Sequence, residues 1–236
     1  MQTNHLRQEL IHWTALEAPT GFEEPVLAAV REELLPLCDS VELDVRGNLY
    51  GTLAGTVPSA PRVMLTAHAD EIGFMVTSLL PGGFMRFTRL GGPTISVLPG
   101  QRVRLLGSGG PVEGVIGVKP GHILRGEAAQ RVPSVEEMYL DVGAESVEQL
   151  SEWGIEPGTP GVFVGELTAT SHPHRMFGKS VDNRAGIVAV LNLAKRFAQH
   201  RPRCHCQFVI TVEEEIGLRG AEVAARKAAP DVVIAI

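Results

Sequence analysis

Arg62-Val63-Met64-Leu65-Thr66-Ala67-His68-Ala69-Asp70 decides how the chain is read. A mainly apolar run of strand length stops on an imidazole and a carboxylate, as expected of a strand buried on both faces with polar chemistry at its carboxyl end. Gln207-Phe208-Val209-Ile210-Thr211-Val212 and Asp231-Val232-Val233-Ile234-Ala235-Ile236 have the same character, and each is likewise expected to be buried on both faces. Ahead of the first of these, Ile187, Val190, Leu191, Ala194 and Phe197 line one face of a helix starting near Asn183. A second helix is expected from about Arg219 to Ala228, closed by Pro230. Near the N-terminus, Leu6, Leu10, Trp13 and Glu17 fall at the spacing of a surface helix. Strands separated by helices imply an α/β sheet covered on both sides.

The middle of the chain is punctuated differently. Of 26 glycines, 18 lie between Asp70 and Gly165, with 8 of the 16 prolines, which favours short strands and tight turns over helices. Phe74–Val76, Phe84–Phe87, Gln101–Leu105, Gly114–Val118 and Met138–Leu140 read as the strands of a small all-β unit. The expected organisation is therefore a catalytic domain from residues 1–69 and 166–236, interrupted by an inserted β-rich domain at 70–165.

Composition narrows the function. The 236 residues are 44% hydrophobic and 20% charged, which fits a folded protein with a substantial core. A net charge of −6 argues against a nucleic-acid surface built on general electrostatics. No stretch approaches the roughly 18 apolar residues that would span a bilayer, so no membrane partner is expected. The first 18 residues lack an uninterrupted apolar core and a small-residue cleavage site, and do not read as a signal peptide. Three cysteines, an odd number at low density, fit a reducing compartment and a cytoplasmic protein.

Three motifs fall where loops gather at the carboxyl ends of the strands. In Thr66-Ala67-His68-Ala69-Asp70-Glu71, His68 supplies an imidazole that Asp70 can orient; a hydrogen-bonded histidine at a strand end explains the same residues without a ligand. In Gly178-Lys179-Ser180-Val181-Asp182-Asn183-Arg184-Ala185-Gly186, Asp182 or Asn183 can cap the following helix, or Asp182 can serve chemistry. Thr211-Val212-Glu213-Glu214-Glu215-Ile216-Gly217 places three carboxylates behind a buried-type strand; a solvated face is the plain alternative. Alternation along an extended chain would send Glu214 and Glu215 to different sides. Carboxylates crowded into a cleft repel one another unless a cation lies between them. His68, Asp182 and Glu215 are ligand types that zinc, cobalt or manganese accept, leaving Glu214 beside an activated water as its proton acceptor. Hydrolysis of an acyl bond is the chemistry this set suits.

Six segments in order resemble the tetrahedral metallo-aminopeptidases, a family also described as glutamyl aminopeptidases and as endoglucanase-like. They are Ala18–Glu24, Asp44–Leu49, Ala67–Gly73, Leu98–Val103, Val181–Gly186 and Val212–Ala221. The resemblance implies a mixed sheet sandwiched by helices, a phosphorylase/peptidase-like catalytic domain, here incomplete, with the small all-β domain inserted. It implies two divalent metal ions per subunit, zinc or cobalt. His68 is a ligand of one ion, Asp182 is shared by both and Glu215 is a ligand of the other, with Glu214 as general base and Asp70 orienting the histidine. It implies peptide substrates trimmed from a free amino end, and a homo-oligomer, up to a dodecamer, assembled through the β-rich insert at 70–165. Members of the family run further and supply an additional aspartate and histidine ligand there. His122, His172, His174 and His205 do not replace them by position.

Two alternatives remain from the same residues: a non-catalytic homologue that retains fold and assembly surface, or a metal-dependent deacylase or carboxypeptidase. Cys204-His205-Cys206 offers thiolates on one side of a strand, but two donors do not make a structural zinc site. Gly107-Ser108-Gly109-Gly110 lacks the lysine and helix of a phosphate loop and reads as a turn.

Overall fold

A computed structural model describes residues 2–119 and 131–236; His122 lies outside the described residues. In chain order, α1 (Gln2–Ala15), α2 (Glu24–Leu34), β1 (Ser40–Leu43), β2 (Leu49–Leu53) and β3 (Arg62–His68) come first. Then follow β4 (Gly73–Leu80), β5 (Phe84–Leu90), β6 (Arg102–Gly107), β7 (Gly110–Gly117), β8 (Tyr139–Asp141), α3 (Val147–Glu152) and β9 (Pro160–Phe163). The chain closes with β10 (Thr168–Ala169), β11 (Met176–Phe177), α4 (Val181–Gln199), β12 (His205–Thr211), α5 (Arg219–Ala228) and β13 (Val232–Ala235). These elements form two compact units: one takes the chain up to Glu71 and again from Gly165, the other is Ile72–Val164.

The first unit is built on a five-stranded mixed sheet, ordered β1-β2-β12-β3-β13. β3 runs parallel to β12 and β13, whereas β2 is antiparallel to β1 and β12. Period-two alternation divides the apolar side chains between the two faces. Leu65, Ala67, Phe208 and Ile210 pack with Ile187, Val190, Leu191 and Ala194 of α4 and with Val26, Val30 and Leu34 of α2. Met64, Val209 and Tyr50 pack on the other face against Ala224 and Ala228 of α5. Burial of the α4 and α5 faces stabilises helices whose propensity alone would leave them marginal. Trp13 anchors α1 in the core, while Glu17 lies past the end of that helix.

The strand at 231–236 departs from expectation. Among the described residues β13 pairs with β3 alone and is exposed along its length, with Val233 50% accessible. An apolar run encodes extended backbone and a preference for burial, but its neighbours come from elsewhere in the fold.

In the second unit, β4-β5-β8-β7-β6-β9 close into a six-stranded barrel. Phe74, Met85, Phe87, Val103, Leu105, Ile116 and Leu140 fill it, and Phe74 meets Phe87 edge to face at 5.8 Å. β9 closes the barrel by pairing with both β4 and β6. Pro160 is its first residue, where a missing N–H is tolerated. Gly161 is needed for close approach: a Cβ there would lie 2.3 Å from the Phe74 ring and 3.0 Å from the Arg104 carbonyl oxygen. Gly161→Ala is expected to destabilise the barrel by about 1–3 kcal/mol through overpacking, read as a lower urea midpoint for this unit. Among the described residues no helix is long and apolar enough to cross a membrane.

Candidate metal centre

Parallel pairing of β3 with β12 aligns Ala67 with Ile210 and His68 with Thr211, so the two strands deliver their next residues side by side. The Ala69 amide donates to the Thr211 carbonyl at 2.8 Å, which continues the register beyond the strands. His68 and Asp70 therefore leave β3 opposite the segment Val212–Gly217. The third piece, at the start of α4, is set by an irregular backbone: Ser180 has a φ of 58°, and Asp182 and Asn183 are not helical. Asn183 Oδ1 accepts the Gly186 amide at 3.0 Å and supplies the cap. Asp182 is thereby free of that task, and its side chain is 87% exposed.

Around His68 these pieces converge. His68 Nε2 lies 3.0 Å from Asp182 Oδ1 and 3.8 Å from Glu214 Oε2. His68, Glu214 and Glu215 each offer a ligand atom, all within 4.8 Å of one another, the one such group among the described residues. Glu214 and Glu215 reach the same imidazole, contrary to the alternation expected of an extended chain. β12 ends at Thr211, and Glu213 turns through a left-handed conformation with φ 53°. Glu213 itself points away and pairs with Arg46.

Asp70 has two tasks. Its carbonyl oxygen accepts from His68 Nδ1 at 3.0 Å, with its carboxylate Oδ1 3.4 Å from the same nitrogen. That arrangement fixes the ring and turns Nε2 toward the carboxylates. The Asp70 carboxylate, fully buried, also accepts the Glu214 and Glu215 amides, each at 3.1 Å.

The electrostatics follow from this crowding. Burial opposes a charge on His68, but Asp70, Glu214 and Asp182 outweigh it and push the imidazole up to about 9. Burial would also raise the Asp70 carboxyl, yet His68 and the amides of Glu215 and Glu214 hold it below the usual range. Glu215 is raised by burial, and further by Glu214, Asp70 and Asp182, with His68 alone acting the other way. One imidazole among this many carboxylates is short of positive charge, and its N and O donors are those a divalent cation accepts. The residues present therefore fit such an ion.

A stability prediction arises for the metal-free chain. Because the folded-state value of His68 lies above its ordinary 6.5, its charge favours folding fully below about pH 6.5, and that contribution is lost as pH rises through about 9. Urea midpoints should fall across this window, and His68→Gln should flatten the fall. An unchanged slope in the variant would assign the dependence to other groups.

Several supporting residues lie inside the quoted segments, where their residue types alone assign them no task. Thr20 Oγ1 donates to Asp70 Oδ2 at 3.0 Å. Glu71, buried beside Asp70, accepts from the Ala18 amide at 3.1 Å, from Lys179 Nζ at 2.8 Å and from the Ser180 hydroxyl. Arg184, with no exposed surface, donates to the carbonyls of Trp13 and Leu16, each at 3.1 Å, and to that of Ala69. A sequence signal existed only for Arg184, which interrupts the apolar face of a helix. Cys204 and Cys206 place their sulfurs 3.8 Å apart, but two donors do not complete a zinc site, and among the described residues the one group of three or more ligand-type side chains is the one at His68.

Known proteins resemble this chain throughout. The model of the M42 glutamyl aminopeptidase family matches residues 47–236. A glutamyl aminopeptidase of Lactococcus lactis is 33% identical over 225 residues, covering 94% of this chain and 63% of that protein. The crystal structure of a TET aminopeptidase from a marine-sediment thaumarchaeon has a TM-score of 0.92 at 31% identity, covering 100% of this chain and 66% of that one. A Pyrococcus horikoshii TET peptidase, which can assemble into a tetrahedron or a large octahedral shell, has a TM-score of 0.87 at 29% identity, covering 98% of this chain and 68% of that one. The chain thus spans under two thirds of the length of the curated Lactococcus relative.

Proposed function

The chain belongs to the M42 glutamyl aminopeptidase family, and from that premise we propose that its first unit carries the centre of a metal-dependent aminopeptidase. The substrates are peptides, shortened from the free amino end. The observation that carries this reading is the meeting of His68, Glu214 and Glu215 within 4.8 Å, with Asp182 3.0 Å from the same imidazole. In this reading His68, Asp182 and Glu215 would hold two divalent ions, zinc or cobalt. When bound, such ions supply Lewis acidity, polarising a peptide carbonyl and making bound water far more acidic, to a pKa of about 7.

The remaining work belongs to the protein. Glu214, half-buried and close to His68, accepts the proton of the attacking water on its carboxylate and returns it to the departing amine. Asp70 holds the His68 tautomer and grips the Glu214 and Glu215 amides, so both carboxylates are in place before substrate arrives. The barrel at Ile72–Val164 serves assembly into a homo-oligomer, as the shells formed by the Pyrococcus relative suggest. Three free thiols suit a reducing compartment, the cytoplasm.

Zinc- or cobalt-dependent release of amino acids from peptides and aminoacyl anilides is the direct test. Removal of metal by a chelator should abolish release, and an N-acetylated peptide should not be cut. Hydrolysis of the acetylated peptide, or trimming from the carboxyl end, would point to a deacylase or carboxypeptidase on the same centre. Absence of any turnover in added metal would favour a non-catalytic homologue.

A further inference from the structure

Glu23 occupies the residue before α2, the position where a short acidic side chain ordinarily caps a helix, yet its side chain makes no cap bond. The residue is 6% exposed, and its Oε1 accepts the Gly21 amide at 2.8 Å and the Glu213 amide at 3.0 Å. The second contact spans 190 positions of sequence. Glu213 is the residue whose positive φ bends the chain after β12. A non-glycine residue keeps such a conformation only where its surroundings over-determine it.

Three successive amides end on buried carboxylates: Glu213 on Glu23, Glu214 on Asp70 Oδ1 and Glu215 on Asp70 Oδ2. Thr20, from the same segment as Glu23, closes the set by donating to Asp70 Oδ2. Asp70 thus holds the outgoing half of the bend, and Glu23 holds the residue at which it starts.

We propose that Glu23 is a positioning residue: by accepting the Glu213 amide it fixes the bend that brings Glu214 and Glu215 together beside His68. This rests on the reading of those residues as a metal centre, and its signature is an acceptor oxygen rather than a negative charge. Glu23→Gln keeps an Oε1 acceptor, whereas Glu23→Leu removes it at similar size.

Cobalt(II) titrated into the full chain, followed by calorimetry and by the visible d–d bands, separates the possibilities. Loss of an outer hydrogen bond of this kind lowers metal affinity by about 10–100-fold. Glu23→Leu is expected to show that loss with altered d–d bands, while Glu23→Gln keeps the affinity and spectrum of the unsubstituted chain. If the Leu variant does not fold, Glu23→Asp, one methylene short of the Glu213 amide, takes its place with the same expected loss. An acceptor-deficient variant that folds and binds cobalt with unchanged affinity and spectrum would overturn the proposal and leave the metal centre standing. So would a Gln variant as impaired as the Leu variant. No cobalt binding by the unsubstituted chain would overturn both.

Discussion

Replacing Glu214 by Gln is expected to lower turnover of free-amine peptides by about 10²–10⁴-fold, the usual worth of a positioned general base. Gln fills the same volume and leaves untouched the backbone amide that Asp70 holds at 3.1 Å, so the 212–217 segment should keep its course. What disappears is the acceptor basicity facing the Nε2 side of His68, 3.8 Å away. Because Glu214 also stands among the atoms within 4.8 Å of one another, metal content must be measured alongside the rate. Retained metal with lost turnover assigns Glu214 to proton transfer. Parallel loss of both makes it a ligand, and an unchanged rate would remove it from the chemistry.

Arg184→Met is expected to give the largest loss of stability, about 3–5 kcal/mol, the usual cost of removing one partner from a buried charged network. The side chain has no exposed surface and donates to the carbonyls of Trp13, Leu16 and Ala69, with Glu71 Oε1 3.7 Å away. Burial works against its charge, and Glu71, Asp70 and Glu23 supply the compensating field. Methionine would keep an apolar stem in the site but leave the buried carbonyls of Trp13 and Ala69, and the half-buried one of Leu16, without their donor. Urea unfolding should show a correspondingly lower midpoint. A variant within about 0.5 kcal/mol of the parent would mean that water or rearrangement satisfies those carbonyls. Ala69 adjoins His68, so the same substitution should also weaken metal binding.

Much of the framework is legible in the sequence because it rests on periodicity. The apolar runs at 62–67 and 207–212 correspond to β3 and β12, and the faces marked by Ile187 and its partners and by Arg219–Ala228 correspond to α4 and α5. β1 and β2 are short, and α3 spans only Val147–Glu152, so none carries enough period to stand out. β13 is legible as a strand with one unpaired side, whereas its exposure along both faces is not, because burial is a property of the whole sheet.

Around the candidate centre, residue types point to metal chemistry while geometry stays hidden. Treating 213–215 as extended separates Glu214 from Glu215, and the left-handed turn at Glu213 reverses that outcome. Such a turn on a non-glycine residue has no local signature, since Glu23, Asp70 and Arg46 impose it from distant parts of the chain. The pairing of Glu71 with Lys179, Ser180 and Arg184 is hidden for the same reason: apart from Arg184, which interrupts an apolar helix face, these polar residues are read as surface until the fold buries them.

Crystals grown with zinc and measured on either side of its absorption edge address the central claim most directly. The predicted result is anomalous density among His68, Asp182, Glu214 and Glu215, with the His68 nitrogen at about 2.0–2.1 Å from an ion. Density confined to Cys204 and Cys206 or to surface histidines, with the His68 region holding water or simple hydrogen bonds, would contradict it.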